Sequence, residues 1–562
     1  MYKKVFAEFI GKNQYKIHLW DDGGYDEIFW KYTAFIECPK NESTHQGLKG
    51  EYLKKIKEWD KSMEGLHFHD MTPYQKFLIE KYGVNDAVST SHKEIFFDIE
   101  IEMGGALTPE YIKSAPKPIT SIAWYIKQKD EWGILILDKE SQLQKTKQGN
   151  KFITPVSTEK ELLIKFIELI RFIDPDILVG YNSEYFDIPY LYYRICNVLG
   201  EEMANMLSPI NIVKDVSQWN SDKTIQIAGV EGLDYMLLHK KYSWKDEPSY
   251  KLEYLGEKYA GLKKIEYDGS LDRLFKEDIN KFIDYNFRDV EIMVEWDKKS
   301  QYLSLTKNLS HKGKINYSDV YASSKVHDGA ISSYLLSKNI IPPSKDKNPL
   351  VKKNYAGGYL FCPKAGLYKY MFDEDLTSLY PSIIMTLNVG KETYVGRVLD
   401  LYNDRNNRLG LNDLKKRDPK EKLPIEDLKG KQKYLECEKI IQIIEQNDLV
   451  ISANGVMFRK DKKSVLSIIL DTWFNERVEY KRLMKQAYKT NDSKNGELNH
   501  LKQYTMKILL NSLYGCLALR SFRYGSVILS EAITLSGQRI ICESALTANR
   551  HMNKVIKENL SL

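Results

Sequence analysis

Asp98 and Glu100 stand two residues apart in FFDIEIE, within a run of apolar residues that reads as a β-strand. Strand alternation puts both carboxylates on one face, while Phe97 and Ile99 anchor the other. Two adjacent anions repel, so the pair makes sense with divalent cations, and ligands that are all oxygen favour magnesium or manganese over zinc. A third acid, Asp187 in NSEYFDIPY, follows the strand ILVG, where a βα turn can bring it to the same end of a sheet. A fourth, Asp289 in YNFRDVEIM, lies one helical turn after Tyr285, whose hydroxyl can then point at the same water as the cations. The layout is hydrolytic: two cations about 3.5 to 4 Å apart would stabilise the attacking hydroxide and the departing oxygen of a phosphodiester. A solvated acid pair on an edge strand accounts equally well for Asp98 and Glu100 alone. It does not account for Asp187, Tyr285 and Asp289.

A second group begins with Asp375, at a strand end in MFDEDLTSLYPSII, followed by Thr377 to Ser382, where the chain turns and exposes backbone donors suited to a triphosphate. The neighbouring Asp373 and Glu374 read as surface charge. Arg477 and Lys481 in FNERVEYK are four apart, as are Lys507 and Asn511 in KILLNSLYG, so each helix presents its polar pair on one face. Two such helices facing each other make an anion clamp; Arg477 and Lys481 alone would be an ordinary solvated helix face.

These residues need several elements to position them. Strands EIFFDIEIE, TSIAWYI and GILILD, then the helical pattern EKELLIKFIELIRFI and the strand DILVGYN, predict an α/β domain. Two helical segments between about Ser464 and Arg520, joined by TNDSKNG, predict an antiparallel hairpin. The run LKKRDPKEKLPIEDLKGKQKYLECEK reads as a charged, partly helical surface insertion. The chain has 562 residues, 43% apolar and 28% charged, with 17 prolines, which excludes a disordered or collagen-like polymer. That length predicts roughly three to five domains. A net charge of +6 means that any nucleic-acid affinity comes from local patches. Cys38, Cys196, Cys362, Cys437, Cys516 and Cys542 form no Cys-x-x-Cys pair, which argues against zinc and for a reducing compartment. No run approaches the roughly 18 apolar residues of a membrane helix, and no signal-like stretch opens the chain, so the expectation is a soluble, intracellular protein without membrane partners. The H-x-H spacing of His67-Phe68-His69-Asp70 reads as a surface or packed strand rather than a metal site.

FFDIEIE, Asn182 with Phe186-Asp187, and Tyr285-x3-Asp289, in this order, resemble the three exonuclease motifs of proofreading family B DNA polymerases. DLTSLYPS resembles the first palm motif of that family, KILLNSLYG the second, and YAGGYL (Tyr355 to Leu360) its linker motif. With PSYKLEYL and SANGVMFRKD, the resemblance covers nearly the whole chain and is nearest to the T-even bacteriophage type. It implies a multidomain α/β and α+β protein: a ribonuclease H-like exonuclease domain plus an incomplete right-hand polymerase palm with helical-hairpin fingers. The expected domains are 1–94 N-terminal, 95–300 exonuclease, 301–345 a return segment to the N-terminal domain, 346–463 first part of the palm, 464–520 fingers, and 521–562 second part of the palm.

By the same resemblance Asp98, Glu100, Asp187 and Asp289 bind two magnesium or manganese ions, and Tyr285 orients the water. Asn182 and Phe186 hold the 3′-terminal nucleotides of a frayed strand. Asp375 and the Leu376 carbonyl bind the two polymerase metals, with Ser378 and Leu379 at the triphosphate. Tyr380 packs under the incoming sugar. Arg477, Lys481, Lys507 and Asn511 grip the triphosphate, and Lys507 protonates the leaving pyrophosphate. The family's third motif, a Gly-Asp-Thr-Asp-like hairpin, and its thumb are absent: no aspartate follows Asp492. One aspartate cannot position two cations against a triphosphate, so synthesis is expected to need a second polypeptide carrying the missing aspartates and thumb. The expected partners are primer-template DNA, single-stranded 3′ ends, deoxynucleoside triphosphates and replication accessory proteins, in the cytoplasm of a bacterial host. A free-standing 3′–5′ exonuclease is the competing reading, and a non-catalytic DNA-binding assembly protein a third.

Overall fold

Strand Glu94–Ile101 runs through the middle of a seven-stranded mixed sheet, because alternate residues can be buried on both of its faces. It pairs antiparallel with Ile119–Ile126, with Asp98 opposite Ala123 and Glu100 opposite Ser121. It pairs parallel with Ile177–Gly180 on the other side. Strands Glu131–Leu137, Lys151–Val156 and Thr146–Gln148 extend the sheet in one direction and Glu231–Asp234 in the other. The computed structural model describes residues 1–217, 224–243, 245–346, 356–361, 364–368, 375–376, 378–399, 410–428 and 430–560.

Helix Glu159–Ile173 packs against this sheet for a reason visible in its residues. Leu162, Leu163, Phe166, Ile167, Ile170 and Ile173 recur at helical spacing and are all buried. Thr158 caps its N-terminus by accepting from the Glu161 amide at 3.2 Å, two glutamates lie in its first turn, and Asp174 ends it in a left-handed conformation. Phe97 and Ile99, the anchoring residues of the carboxylate strand, join the same core. The 22-residue helix Ile279–Ser300 carries both Tyr285 and Asp289. All of these elements belong to the first of two compact units, made of residues 1–32, 72–78 and 85–322.

The second unit comprises residues 33–71, 79–84 and 323–562. It contains a five-stranded sheet of short strands from 34–67 and 340–341. A second five-stranded sheet has the order Gln432–Glu436, Lys422–Asp427, Tyr394–Val398, Val456–Arg459, Leu449–Ile451. The lysine-rich run from 410 to 439, expected to be partly helical, contains the short helix Leu411–Leu414 and the start of helix Cys437–Gln446, and between them a β-hairpin that was not expected. Leu423, Ile425, Cys437, Ile440 and Ile444 close a core of their own, and the intervening charges hide that pattern in the sequence. Helices Val465–Lys489 and Ser493–Leu517 form the expected hairpin, and Val527–Leu560 is one 34-residue helix. The expected apolar segment YKYMF lies mostly outside the described residues, as do Asp373, Glu374 and Thr377. No helix among the described residues is long and apolar enough to cross a membrane.

The H-x-H stretch is consumed by structure. His67 contacts Glu37 at 3.1 Å, His69 contacts Ser344 at 2.8 Å, and Asp70 accepts from Arg523 at 2.5 Å and from the Lys345 amide at 2.6 Å. The Arg523 side chain has no exposed surface. Burial alone would raise the Asp70 pKa, but the Arg523 charge and the Lys345 N–H outweigh it and hold the carboxyl below its ordinary value. Removing the carboxylate would leave the guanidinium buried beside fewer compensating charges. Asp70→Ala is therefore expected to lower unfolding free energy by about 3–5 kcal/mol, read from denaturant melts of the purified chain. A loss below about 1 kcal/mol would show that the ion pair is not what keeps Arg523 in place.

Candidate active site

One carboxylate oxygen from each of Asp98, Glu100 and Asp289 lies within 4.8 Å of the other two. They form the one group of three or more potential metal ligands found among the described residues. The strand contributes two acids through its alternation and helix Ile279–Ser300 contributes the third, so two rigid elements converge on one point. Asp187, buried at the first position of helix Asp187–Leu199, lies beside this trio. Its Oδ1 accepts from the Ile99 amide at 3.2 Å, which ties it to the carboxylate strand.

Such crowding has an electrostatic signature. Burial, then the charges of Asp187, Glu100 and Asp289, push the Asp98 carboxyl far above its ordinary value. Glu100 is raised to about 8 by burial and by Asp289, against the opposing pull of Lys264. Asp187 is raised to about 7 by burial, with hydrogen bonds from backbone N–H groups opposing and Asp234 and Asp289 adding to it. Asp289 is raised by burial, with Lys264 opposing. One oxygen, Asp289 Oδ1, is buried without a hydrogen-bond partner. Oxygen-only donors, mutual repulsion and an orphaned buried oxygen fit a divalent cation of the magnesium or manganese type.

Three contributors escape a reading of the sequence. Lys264 donates to Asp289 Oδ2 at 2.5 Å and to the Tyr285 hydroxyl at 3.1 Å, from the loop 261–270. Burial would lower its pKa, but the charges of Asp289 and Tyr285 raise it. Asn286 donates to Asp98 Oδ2 at 2.6 Å and accepts from the Ser121 hydroxyl at 2.8 Å, so it orients the strand carboxylate. Its place three residues before Asp289 on the same helix is the only signal that could have pointed to it. Tyr267, from the loop that carries Lys264, meets the Tyr285 ring edge-on, with centroids 5.4 Å apart.

Asn182 occupies a left-handed conformation, φ +59°, which asparagine tolerates better than most residues. Its amide donates to Asp234 Oδ1 at 3.1 Å, and its carbonyl accepts from Tyr185 and Phe186. The turn leaves Asn182 exposed and Phe186 half-buried against Tyr190.

In the second unit Asp375 and Leu376 are exposed. Ser378, with φ +53°, precedes helix Leu379–Leu387, and its carbonyl accepts from the Ser382 amide at 2.9 Å. Tyr380 packs on Tyr514 of NSLYG with ring centroids 4.3 Å apart. Gly358 and Gly537 crowd the same tyrosine, since a Cβ at either would come within 3.2 Å of it. Of the YAGGYL stretch, Tyr355 lies outside the described residues, and the Gly357 carbonyl accepts from Gln538. On the helical hairpin the charge of Arg477, then burial, then Lys485 and Lys507 lower the Lys481 pKa, so these cations share a neighbourhood. Asn511 lies one turn beyond Lys507. No described hydrogen bond or ion pair joins Asp375 to these residues.

Comparison with known proteins places the chain in a family. The family model "DNA polymerase family B, exonuclease domain" matches residues 76–255, and "DNA polymerase family B" matches residues 321–561. The DNA-directed DNA polymerase of Escherichia phage RB69 is 28% identical over 94% of this chain and 64% of its own length. That of Enterobacteria phage T4 is 27% identical over 99% of this chain and 67% of its own length. A DNA polymerase of Thermococcus gorgonarius is 25% identical over 90% of this chain and 57% of its own length. The chain belongs to DNA polymerase family B, with an exonuclease domain, and spans about two thirds of the phage relatives' length.

Proposed function

We propose that this chain is the editing and nucleotide-binding part of a DNA-directed DNA polymerase. It removes nucleotides from DNA 3′ ends at the carboxylate site and contributes Asp375 and the hairpin to nucleotide addition. The carrying observation is the convergence of Asp98, Glu100 and Asp289 within 4.8 Å, with Asp187 alongside, in a buried setting that disfavours bare carboxylates.

The seven-stranded sheet and its helices would be the ribonuclease H-like exonuclease domain, and the helical hairpin the fingers. Asp98, Glu100, Asp187 and Asp289 would hold two divalent cations, which supply charge stabilisation for the attacking and departing oxygens of the phosphodiester. The chain's own part is placement. Asn286 fixes the Asp98 carboxylate, Lys264 holds Tyr285 and Asp289, and the Tyr285 hydroxyl orients the attacking water. Asn182 and Phe186 would receive the frayed 3′ nucleotides. At the second site Asp375 and the Leu376 carbonyl would hold metal, Ser378 and Leu379 would meet the triphosphate, and Tyr380 on Tyr514 would support the sugar. Arg477, Lys481, Lys507 and Asn511 would grip the phosphates, with Lys507 as proton donor to pyrophosphate. A second carboxylate opposite Asp375 would come from outside these 562 residues, on a continuation of the chain or on a partner.

The test is incubation with magnesium and 5′-labelled single-stranded DNA, which should shorten stepwise from its 3′ end. Intact label, or shortening from the 5′ end, overturns the reading. Lys264→Met is expected to slow that shortening on the order of 10²-fold at saturating magnesium, because one preorganised cation is lost from the site. An unchanged rate would make Lys264 only a stand-in charge. A free-standing exonuclease would not need the cations Arg477, Lys481 and Lys507, whose mutual repulsion has no evident purpose without an anion.

A further inference from the structure

The cationic ridge of the hairpin is longer than the proposed triphosphate grip. On helix Val465–Lys489, Arg477, Lys481 and Lys485 stand at four-residue intervals, so Lys485 lies just over one turn, about 6 Å along the axis, beyond Lys481. It is exposed. Nearby Arg482 is paired with Glu479 at 2.7 Å, whereas Lys481 and Lys485 belong to no described ion pair. The Arg477 Nε is buried with no hydrogen-bond partner, a donor left over at the inner end. On the facing helix, Ser493–Leu517, the residues His500, Tyr504 and Lys507 follow one stripe at spacings of four and three. The Lys507 ammonium lies 5.8 Å from the Tyr504 ring centroid. The Tyr504 and His500 rings are nearly parallel, 9° apart in plane with centroids separated by 6.3 Å. Lys481 feels the charges of both Lys485 and Lys507, so the exposed lysine on one helix and the stripe through Tyr504 and His500 on the other both lead away from the same cation. That combination suits a phosphate carrying a planar base.

We propose that Lys485 with His500 and Tyr504 forms an outer nucleoside-triphosphate site, where an incoming substrate is first held before it moves inward to Arg477, Lys481 and Lys507. The inference rests on the reading of those inner residues as the triphosphate grip. An exposed cation one turn outside a site attracts a nucleotide polyanion over a Debye length and so acts on the rate of arrival more than on the rate of escape.

The experiment is stopped-flow association of a fluorescent deoxyadenosine triphosphate with the 562-residue chain in magnesium, with inorganic tripolyphosphate as a competitor that lacks a base. Lys485→Glu is expected to cut the association rate constant about three- to ten-fold at low salt. The effect should shrink in high salt, and dissociation should change less than about two-fold. His500→Ala with Tyr504→Leu, which retains apolar bulk on the helix, should slow association of the nucleotide without altering tripolyphosphate competition. Thermal melts establish that each variant is folded. Arg477→Ala separates this proposal from the reading beneath it. If Arg477→Ala speeds dissociation while Lys485→Glu leaves association unchanged, the outer site is overturned and the inner grip stands. If Arg477→Ala has no effect either, the triphosphate reading itself fails. If Lys485→Glu acts but the aromatic replacements do not, the site binds phosphate without a base and its nucleoside half is overturned.

Discussion

Replacing Asp98 and Glu100 together by alanine is expected to reduce 3′ to 5′ shortening of single-stranded DNA by at least about 10³-fold, to background. The same change should stabilise the metal-free protein. Glu100 is raised to about 8 and Asp187 to about 7, so the folded state binds these protons more tightly than the unfolded chain. Stability from such groups is fully present below their unfolded pKa values near 4. It is lost progressively as pH rises from about 4 to the folded values of about 7 and 8, at up to about 1.4 kcal/mol per group per pH unit. Without metal, the wild-type melting temperature should therefore fall between about pH 4 and pH 8, and the double variant should fall less. Magnesium should raise the wild-type melting temperature more at pH 8 than at pH 5, because protons and cations compete for the same oxygens. A double variant that still degrades DNA, or a wild-type chain whose melting temperature ignores magnesium at pH 8, would remove the site from consideration.

The second large effect concerns synthesis. Given primed template, deoxynucleoside triphosphates and magnesium, residues 1–562 alone are expected to extend the primer at background, on the order of 10³-fold or more below a complete site. Asp375 is exposed, and the trio of acids that can hold metal lies in the other unit. No aspartate follows Asp492. Supplying the part of the phage relatives' length that this chain does not span, fused or added separately, should restore extension. Efficient extension by residues 1–562 alone would mean that another acid of this chain serves opposite Asp375.

What could be read directly from the residues was whatever depends on short spacing. Asp98 and Glu100 face together because a strand alternates, and Tyr285 and Asp289 share a helix because they are four apart. The helix Glu159–Ile173 was legible from its apolar repeat, and the helical hairpin from its two long periodic segments. Lys264 was not legible, because a loop residue has no periodicity and its partners lie 21 and 25 positions away in the chain. Asn286 was hidden for a different reason: its role exists only once the helix meets strands 165 to 188 residues earlier. The hairpin and helix between 422 and 446 were obscured by lysines and glutamates interleaved with Leu423, Ile425 and Ile440, which outweigh the apolar pattern in bulk composition but not in packing.

Two of the clustered acids hang from the centre of a sheet hydrogen-bonded on both sides, whereas the ammonium that faces them rides on a stretch with no regular structure. The anions are thus held by main-chain hydrogen bonds on both sides, whereas the ammonium comes from a loop outside that ladder. A divalent ion entering between these oxygens would meet carboxylates at a preset spacing, with Lys264 holding Tyr285 and Asp289 from the side. Adjustment to a bound ion then falls to the loop 261–270 rather than to the sheet that sets the spacing of the oxygens.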